Sequence, residues 1–467
     1  MESQALNGAD KQRQVAQLMR RLENDLEEKA LTTAQRVQIL LQVRQYGTQP
    51  SNADPIYSRS GMNILTKYGV DGETAEVRRT ALRCVANALL LEPKMRQTFV
   101  DTGYSGKLAE NLKCDNSEDE MVLSRILFLS TYDTTLDFEN LINNNSLGNN
   151  INHQIARHSK QFPKAGRKTL SQMDELALTD TLKLVFNISK LYPDLAVTFA
   201  PSIPYILKMI SRMDIPSKPL DGLIGYMIYS LAMLDLEGKK TKHFESGSLF
   251  PKLNQNCNVD KLINILDRAV SAYGPEELET KAIPLLHTLI ILYEVAPDGP
   301  RKYMQWLLLP EDNDRSLPIG YSDTLSSKLL RISTSPYPKL KTAISDLMFV
   351  LSGKNAENLT KSIGYGFAAG FLASRGMEIP QTAREAFATN APEFDPEINP
   401  ITGQRWSAER RDSGSPMTKE EKEREAERLF VLFERARLNG ILNVENPVTQ
   451  ALHEGRLEEL PDSDDSE

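Results

Sequence analysis

The sequence predicts an all-α solenoid, on three observations. One helix type recurs: Leu82-Arg-Cys-Val-Ala-Asn-Ala-Leu-Leu-Leu-Glu-Pro93 returns one hundred positions later as Leu182-Lys-Leu-Val-Phe-Asn-Ile-Ser-Lys-Leu-Tyr-Pro193. Leu82, Val85, Asn87, Leu91 and Pro93 fall on Leu182, Val185, Asn187, Leu191 and Pro193. A fainter third copy sets Leu285, His287 and Ile291 where Val85, Asn87 and Leu91 stand. Prolines separate the apolar segments, at Pro216, Pro219, Pro251, Pro275, Pro297, Pro310, Pro336 and Pro338, where a helical array needs turns. No stretch alternates apolar and polar residues long enough to suggest a sheet. Such recurrence marks a stacked array in which each repeat buries its face only against its neighbours. One hundred residues is too long for one repeat and matches two units of the ~40–47 residues expected of armadillo or HEAT helices, with loops added.

The segments follow in order. Residues 9–30 place Val15, Leu18, Met19, Leu22 and Leu26 on one helical face and read as a cap for the first repeat. A helix at 36–46 stops at Gly47, and others follow at 60–70, 76–92, 106–113 and 120–131. Residues 143–168, opening Asn143-Asn-Asn-Ser-Leu-Gly-Asn-Asn150, break the rhythm and read as an exposed insertion. The array resumes at 172–191, 203–213, 219–235, 259–273, 279–295, 301–309 and 323–332 and closes at 339–351, which assigns the solenoid to 1–355. Residues 356–416 then predict a glycine-rich turn (Gly364, Gly366, Gly370) and an extended arm. An amphipathic helix occupies 417–442, where Thr418 and Glu421 have capping-box spacing and Gly440 is the stop. Its apolar face is Leu429, Phe430, Leu432, Phe433 and Ala436, and an acidic tail expected to be disordered fills 443–467.

Composition narrows the function. With 467 residues and 40% hydrophobic content the chain can bury a long core. A net charge of −8 and a pI near 5.5 argue against nucleic-acid binding, which needs a basic footprint. Cys84, Cys114 and Cys257 form no CxxC pair and fit a reducing compartment. The N-terminus lacks the charge and apolar run of a signal peptide, and no run approaches the ~20 apolar residues that span a bilayer, so the expected location is cytoplasmic.

Catalytic motifs find no support. Gly364-x-Gly366-x-x-x-Gly370 lacks the preceding strand and βαβ context of a dinucleotide fingerprint, and glycines for tight turning explain it better. There is no phosphate loop, no nucleophile elbow and no paired histidine motif among the five histidines. No enzyme activity, metal or cofactor is expected.

The polar residues that interrupt the apolar helices say more. Arg44, Asn87, Arg125, Asn187 and His287 hold comparable places, and in an armadillo-type stack such residues form a ladder along the concave face. Asparagine amides bond both N–H and C=O of a peptide, and arginines fork a terminal carboxylate. Each residue could instead cap a neighbouring loop; recurrence favours a peptide-binding groove. Arg78, Arg79, Arg83, Lys94 and Arg96 would make this end basic and attract an acidic partner, unless they are a solvated helix face. Phe430 and Phe433 either pack back on the solenoid or grip a partner.

Residues 361–376 (Lys-Ser-Ile-Gly-Tyr-Gly-Phe-Ala-Ala-Gly-Phe-Leu-Ala-Ser-Arg-Gly), then Ile398-Asn-Pro-Ile-Thr-Gly403, then the helix from Met417 to Phe433 resemble the C-terminal signature of the synembryn family. Weaker similarity runs back through 349–351, 184–187, 125–129, 82–90 and 36–44. The resemblance implies a cytosolic, monomeric armadillo/HEAT solenoid that acts as guanine-nucleotide exchange factor and chaperone for heterotrimeric G-protein α subunits, GDP-bound or nucleotide-free and without βγ. It would be recruited to the inner face of the plasma membrane through Gα. The concave face would hold the Gα C-terminal helix, with Arg44 and Asn87 at the tail and Arg125 and Asn187 further along. Leu429, Phe430 and Phe433 would meet the GTPase domain. Two features depart from the family. The arm lacks an acidic Ser/Thr cluster, and the Asn-rich segment 143–168 points to a fungal-type member. An armadillo-type adaptor or scaffold without exchange activity is the alternative; import adaptors use repeated Trp-x3-Asn pairs, which Trp306 and Trp406 do not form.

Overall fold

The computed structural model describes residues 8–163, 170–238, 248–310, 315–378, 398–399, 402–409 and 418–438. Among these residues the secondary structure is helical apart from one isolated antiparallel bridge, Ile398 to Arg405. The first half contains α1 (Gly8–Glu28), α2 (Thr33–Tyr46), α3 (Arg59–Asp71), α4 (Ala75–Leu91), α5 (Lys94–Val100), α6 (Ser105–Asn111), α7 (Ser117–Leu129), α8 (Phe138–Asn144), α9 (Leu147–Gln161) and α10 (Gln172–Leu191). A 3₁₀ segment (Pro193–Ser202) leads into α11 (Ile203–Arg212), α12 (Leu223–Leu231), α13 (Cys257–Ala272), α14 (Pro275–Lys281) and α15 (Ile283–Val295). Then come α16 (Asp298–Leu308), α17 (Leu325–Ser333), α18 (Pro338–Leu351), α19 (Ala356–Ile363), α20 (Tyr365–Ser374) and α21 (Lys419–Leu438). The chain separates into two compact units, Met1–Ala408 and Glu409–Glu467.

The first unit is a helical solenoid. Helices α2, α4, α7, α10, α12, α15 and α18 form one row in which each touches the next. A second layer packs on it, with α1 on α2, α3 on α4, α6 on α7, α9 on α10, α11 on α12, α13 on α15 and α17 on α18. The recurring stretches lie in α4, α10 and α15, which are alternate members of the row. One hundred residues therefore spans two repeats. Leu82, Val85, Leu182 and Val185 are buried in the shared core, which explains their recurrence, while Pro93 and Pro193 stand just past the helix ends.

Start signals are local. Thr32, Ser58, Thr74, Asn116, Asp137, Ser171, Thr324 and Asn355 each accept a backbone N–H of the helix that follows, satisfying a donor that would otherwise be orphaned. Of Gly364, Gly366 and Gly370, only Gly364 turns the chain: it sits at φ +76° between α19 and α20. Gly366 and Gly370 lie inside α20 and make no turn, because with Gly364 reversing the chain the residues after it continue as one helix.

The expected insertion at 143–168 is corrected. Residues 147–161 form α9, whose Leu147, Ile151 and Ile155 are fully buried. Its amides serve as caps. Asn150 Nδ2 donates to Ala109 O at 2.9 Å, and Gln154 Nε2 donates to Leu112 O and Cys114 O, both at 2.6 Å. These carbonyls lie at the end of α6, where helical partners run out, so the polar side chains are buried because they are bonded.

At the N-terminal end a buried ion cluster ties α1, α2 and α3. Arg36 Nε donates to Asp25 Oδ2 at 2.7 Å, Tyr68 OH donates to the same oxygen at 2.6 Å, and the Leu31 amide donates to Oδ1 at 2.6 Å. Burial pushes the Asp25 carboxyl up, but the Arg36, Tyr68 and Leu31 donors outweigh it and hold it below its ordinary 3.8. The folded state thus binds this proton more weakly than the unfolded chain. The stabilisation is complete above the unfolded value and is lost as pH falls through the folded one. Asp25→Asn is expected to cost about 3–5 kcal/mol near neutral pH, because Arg36 keeps only the exposed Glu73. Urea titrations of both forms on descending pH check it: the gap must narrow as the parent chain loses the same charge.

The second unit contains α21. The capping box is made: the Thr418 amide donates to Glu421 Oε2 at 3.0 Å and the Glu421 amide to Thr418 Oγ1 at 3.3 Å. Leu429, Phe430, Val431 and Leu432 are exposed, and Phe433 is half-buried. Gly440, the tail 443–467 and most of the arm lie outside the described residues.

Candidate functional site

The row places one sequence-selected residue on each of five helices: Arg44 on α2, Asn87 on α4, Arg125 on α7, Asn187 on α10 and His287 on α15. Their surroundings differ. Arg44 and His287 are exposed and Asn87 is half-buried. Arg125 is engaged within the chain, its Nε 2.8 Å and its terminal nitrogen 2.7 Å from Asp180 Oδ2. Asn187 is 7% exposed and donates to Thr131 Oγ1 at 2.7 Å. These last two tie α10 to α7 and its C-terminal end.

Helical spacing extends each position into a stripe. Arg79, Arg83, Asn87 and Leu90 follow one another at three or four residues on α4, as do Lys183, Phe186 and Lys190 on α10 and Pro284, His287 and Ile291 on α15. Arg125, Phe128 and Tyr132 continue α7, and Tyr226 and Tyr229 fill the place of α12. Contacts join the stripes. Lys183 Nζ lies 4.9 Å from the Tyr226 ring centre and 5.7 Å from that of Phe128, and Phe186 meets Tyr229 at 6.2 Å.

The stripes enclose an open cleft of about 380 Å³, lined by Phe128, Tyr132, Lys183, Phe186, Asn187, Tyr226, Tyr229, Thr280 and Pro284. Burial raises the Tyr229 hydroxyl to about 12 against the opposing pull of Lys281, so the wall presents a neutral phenol. Beneath it Asp180 is 2% exposed, and burial pushes its carboxyl up although Arg125 and Lys183 pull it down. The cations at this place are balanced, and the cleft is chemically aromatic.

The basic end expected around α4 is also largely answered within the chain. Arg79 meets Asp119 and Glu118, Arg83 lies 3.5 Å from Glu118, Arg78 donates to Gly72 O, Lys94 pairs with Glu92 and Arg96 donates to Leu89 O. The acidic first turn of α7 supplies the key carboxylates, as the macrodipole favours. The aromatic residues, by contrast, were not among those singled out from sequence. Their signal was present: Phe128 and Tyr132 follow Arg125 at three and seven residues, and Phe186 adjoins Asn187.

Residues 39–456 match the family model described as guanine nucleotide exchange factor synembryn. The chain belongs to the synembryn family. Synembryn relatives include the chaperone Ric-8A of Xenopus tropicalis, 28% identical over 51% of this chain and 44% of the relative. A synembryn-like chaperone of Schizosaccharomyces pombe is 29% identical over 62% of this chain and 57% of its own length. These two matches thus span about half of each relative. Chicken (Gallus gallus) chaperone Ric-8A is 22% identical over 93% of this chain and 87% of its own. Among the described residues of this synembryn member, no helix is long and apolar enough to cross a membrane.

Proposed function

We propose that this chain is a guanine-nucleotide exchange factor and folding chaperone for G-protein α subunits. The Gα C-terminal helix lies along the row from Arg44 and Asn87 past Arg125 and Asn187 toward His287, and its apolar side chains enter the aromatic cleft. The exposed apolar residues of α21, with Leu429 and Phe430 foremost and Phe433 beside them, engage the GTPase domain. The observation that carries this reading is the match to the synembryn model over most of the chain. It is supported by an aromatic cleft on the same helical row, a surface suited to one face of an amphipathic helix.

No catalytic side chain is needed. A protein that binds nucleotide-free Gα more tightly than GDP-bound Gα weakens GDP by the same factor, by linkage. Holding the C-terminal helix disturbs the part of Gα next to the guanine base, and GTP then restores the closed state and releases the exchanger. Chaperoning is the same preference applied to a GTPase domain still lacking nucleotide. GDP release from purified Gα should accelerate with this protein, leave a stable nucleotide-free complex, and lose both effects when Gα is truncated at its C-terminus. Acceleration that survives truncation would remove the helix from the row. No acceleration together with improved yield of folded Gα on co-expression would leave chaperoning alone.

A further inference from the structure

An open aromatic cleft is by default a receptor for cations, because ring faces attract ammonium and guanidinium groups. Here the chain supplies those cations itself. On α10, Lys183 Nζ lies over Tyr226 at 4.9 Å and over Phe128 at 5.7 Å from the ring centres, and Lys190 Nζ lies over Phe186 at 5.7 Å. On α5, the Arg96 guanidinium lies over Tyr132 at 5.4 Å. Tyr229, the fifth ring of the lining, is met by other rings instead, Tyr226 edge-on at 6.1 Å and Phe186 at 6.2 Å. The carboxylate beneath, Asp180, is 2% exposed and is shared by Arg125 at 2.7 Å and Lys183 at 3.6 Å. Among the described residues neither Lys190 nor Arg96 forms an ion pair, and the Arg96 Nε donates to Leu89 O at 3.1 Å.

We propose that Lys183, Lys190 and Arg96 are specificity-determining residues of the cleft. They occupy the ring faces that a basic guest would need. The cleft therefore admits an amphipathic helix whose apolar face is bordered by carboxylates and rejects one bordered by lysine or arginine. A second cation brought to such a ring is drawn by the same quadrupole but repelled by the cation already over it. A carboxylate meets the opposite sign at the rim, while the apolar side chain beside it fills the space between the rings. Specificity here comes from repulsion of the wrong guest as much as from attraction of the right one. The proposal rests on the helix-in-cleft reading above and adds to it the charge pattern of the helix that enters.

The test uses the full chain and a peptide copying the Gα C-terminal helix, in which each residue bordering the apolar face is replaced in turn by Glu, by Gln and by Lys. Isothermal titration is run with the parent, Lys183→Met, Lys190→Met and the double variant. At the positions nearest the cleft the parent should prefer Glu over Lys by about tenfold, with Gln between, and the preference should shrink as salt is raised. In the double variant it should fall to about twofold or less, and comparing the same peptides on each protein cancels differences in their own helicity. Methionine keeps an apolar stem over the ring and Arg125 still pairs with Asp180, so melting should be nearly unchanged. Equal affinity of the parent for Glu and Lys at every position overturns the proposal, as does a preference that survives the double substitution. A preference for Lys overturns it as well and returns the rings to cation recognition. The salt series needs only the parent, so it decides even where Lys183→Met folds poorly. A parent chain that binds none of the peptides overturns the helix-in-cleft reading, an outcome distinct from binding all of them alike.

Discussion

Phe186→Ala combined with Tyr229→Ala is expected to weaken binding of a Gα C-terminal helix peptide by about 100-fold, or about 3 kcal/mol. The two rings meet at 6.2 Å across the α10–α12 contact and wall the cleft on one side. Both are half-buried, so truncation removes partner surface more than internal packing. Rigid aromatic walls are favourable anchors because they order few rotatable bonds on binding. Isothermal titration with the peptide measures the loss, and circular dichroism should find helix content and melting nearly unchanged. Unaltered affinity would move the peptide off the cleft. Collapse of the melting transition would show instead that the rings belong to the core.

The second large effect is on stability. Glu120→Ala should cost about 3–5 kcal/mol, because it leaves buried cationic and polar groups without their acceptor. Glu120 is fully buried on α7. Its Oε1 accepts from Thr181 Oγ1 at 2.7 Å, and its Oε2 lies 2.7 Å from His158 Nε2 and pairs with Arg157. Ser124 joins through Thr181 at 2.9 Å. One carboxylate therefore fastens α9 and α10 to α7. Glu120→Gln keeps the shape and an acceptor oxygen and should lose less than alanine does. Amide exchange of α7, α9 and α10 reads the damage where it arises. A loss under about 1 kcal/mol would mean that water reaches the site and solvates Arg157.

Much of this architecture could be read from the residues. The matched helices ending before Pro93 and Pro193, the helix start at Thr418 and the apolar face of α1 are local patterns with local causes. Segment 143–168 misled because its composition is that of a loop, whereas Leu147, Ile151 and Ile155 recur every fourth residue and carry a helix. Asn150 and Gln154 are polar and buried because carbonyls at the end of α6 need donors, and no single-segment pattern announces a partner forty residues away. The same limit explains the basic residues: Arg79 and Arg83 look like a ligand surface until the first turn of α7 lies beside them. Of the selected ladder, Arg44, Asn87 and His287 remain accessible, while Arg125 and Asn187 tie neighbouring helices together. The cleft took shape only when α7, α10, α12 and α15 were set side by side.

The row joins each helix to the next, and this bears on how the lineage can drift. A lattice with only adjacent couplings has no distant register to preserve. A lengthened connection, or a repacked pair of faces, is absorbed at one interface and leaves the remaining interfaces as they were. Substitutions can therefore accumulate pair by pair. Identities of only 22–29% to relatives are of the order that such pairwise drift permits.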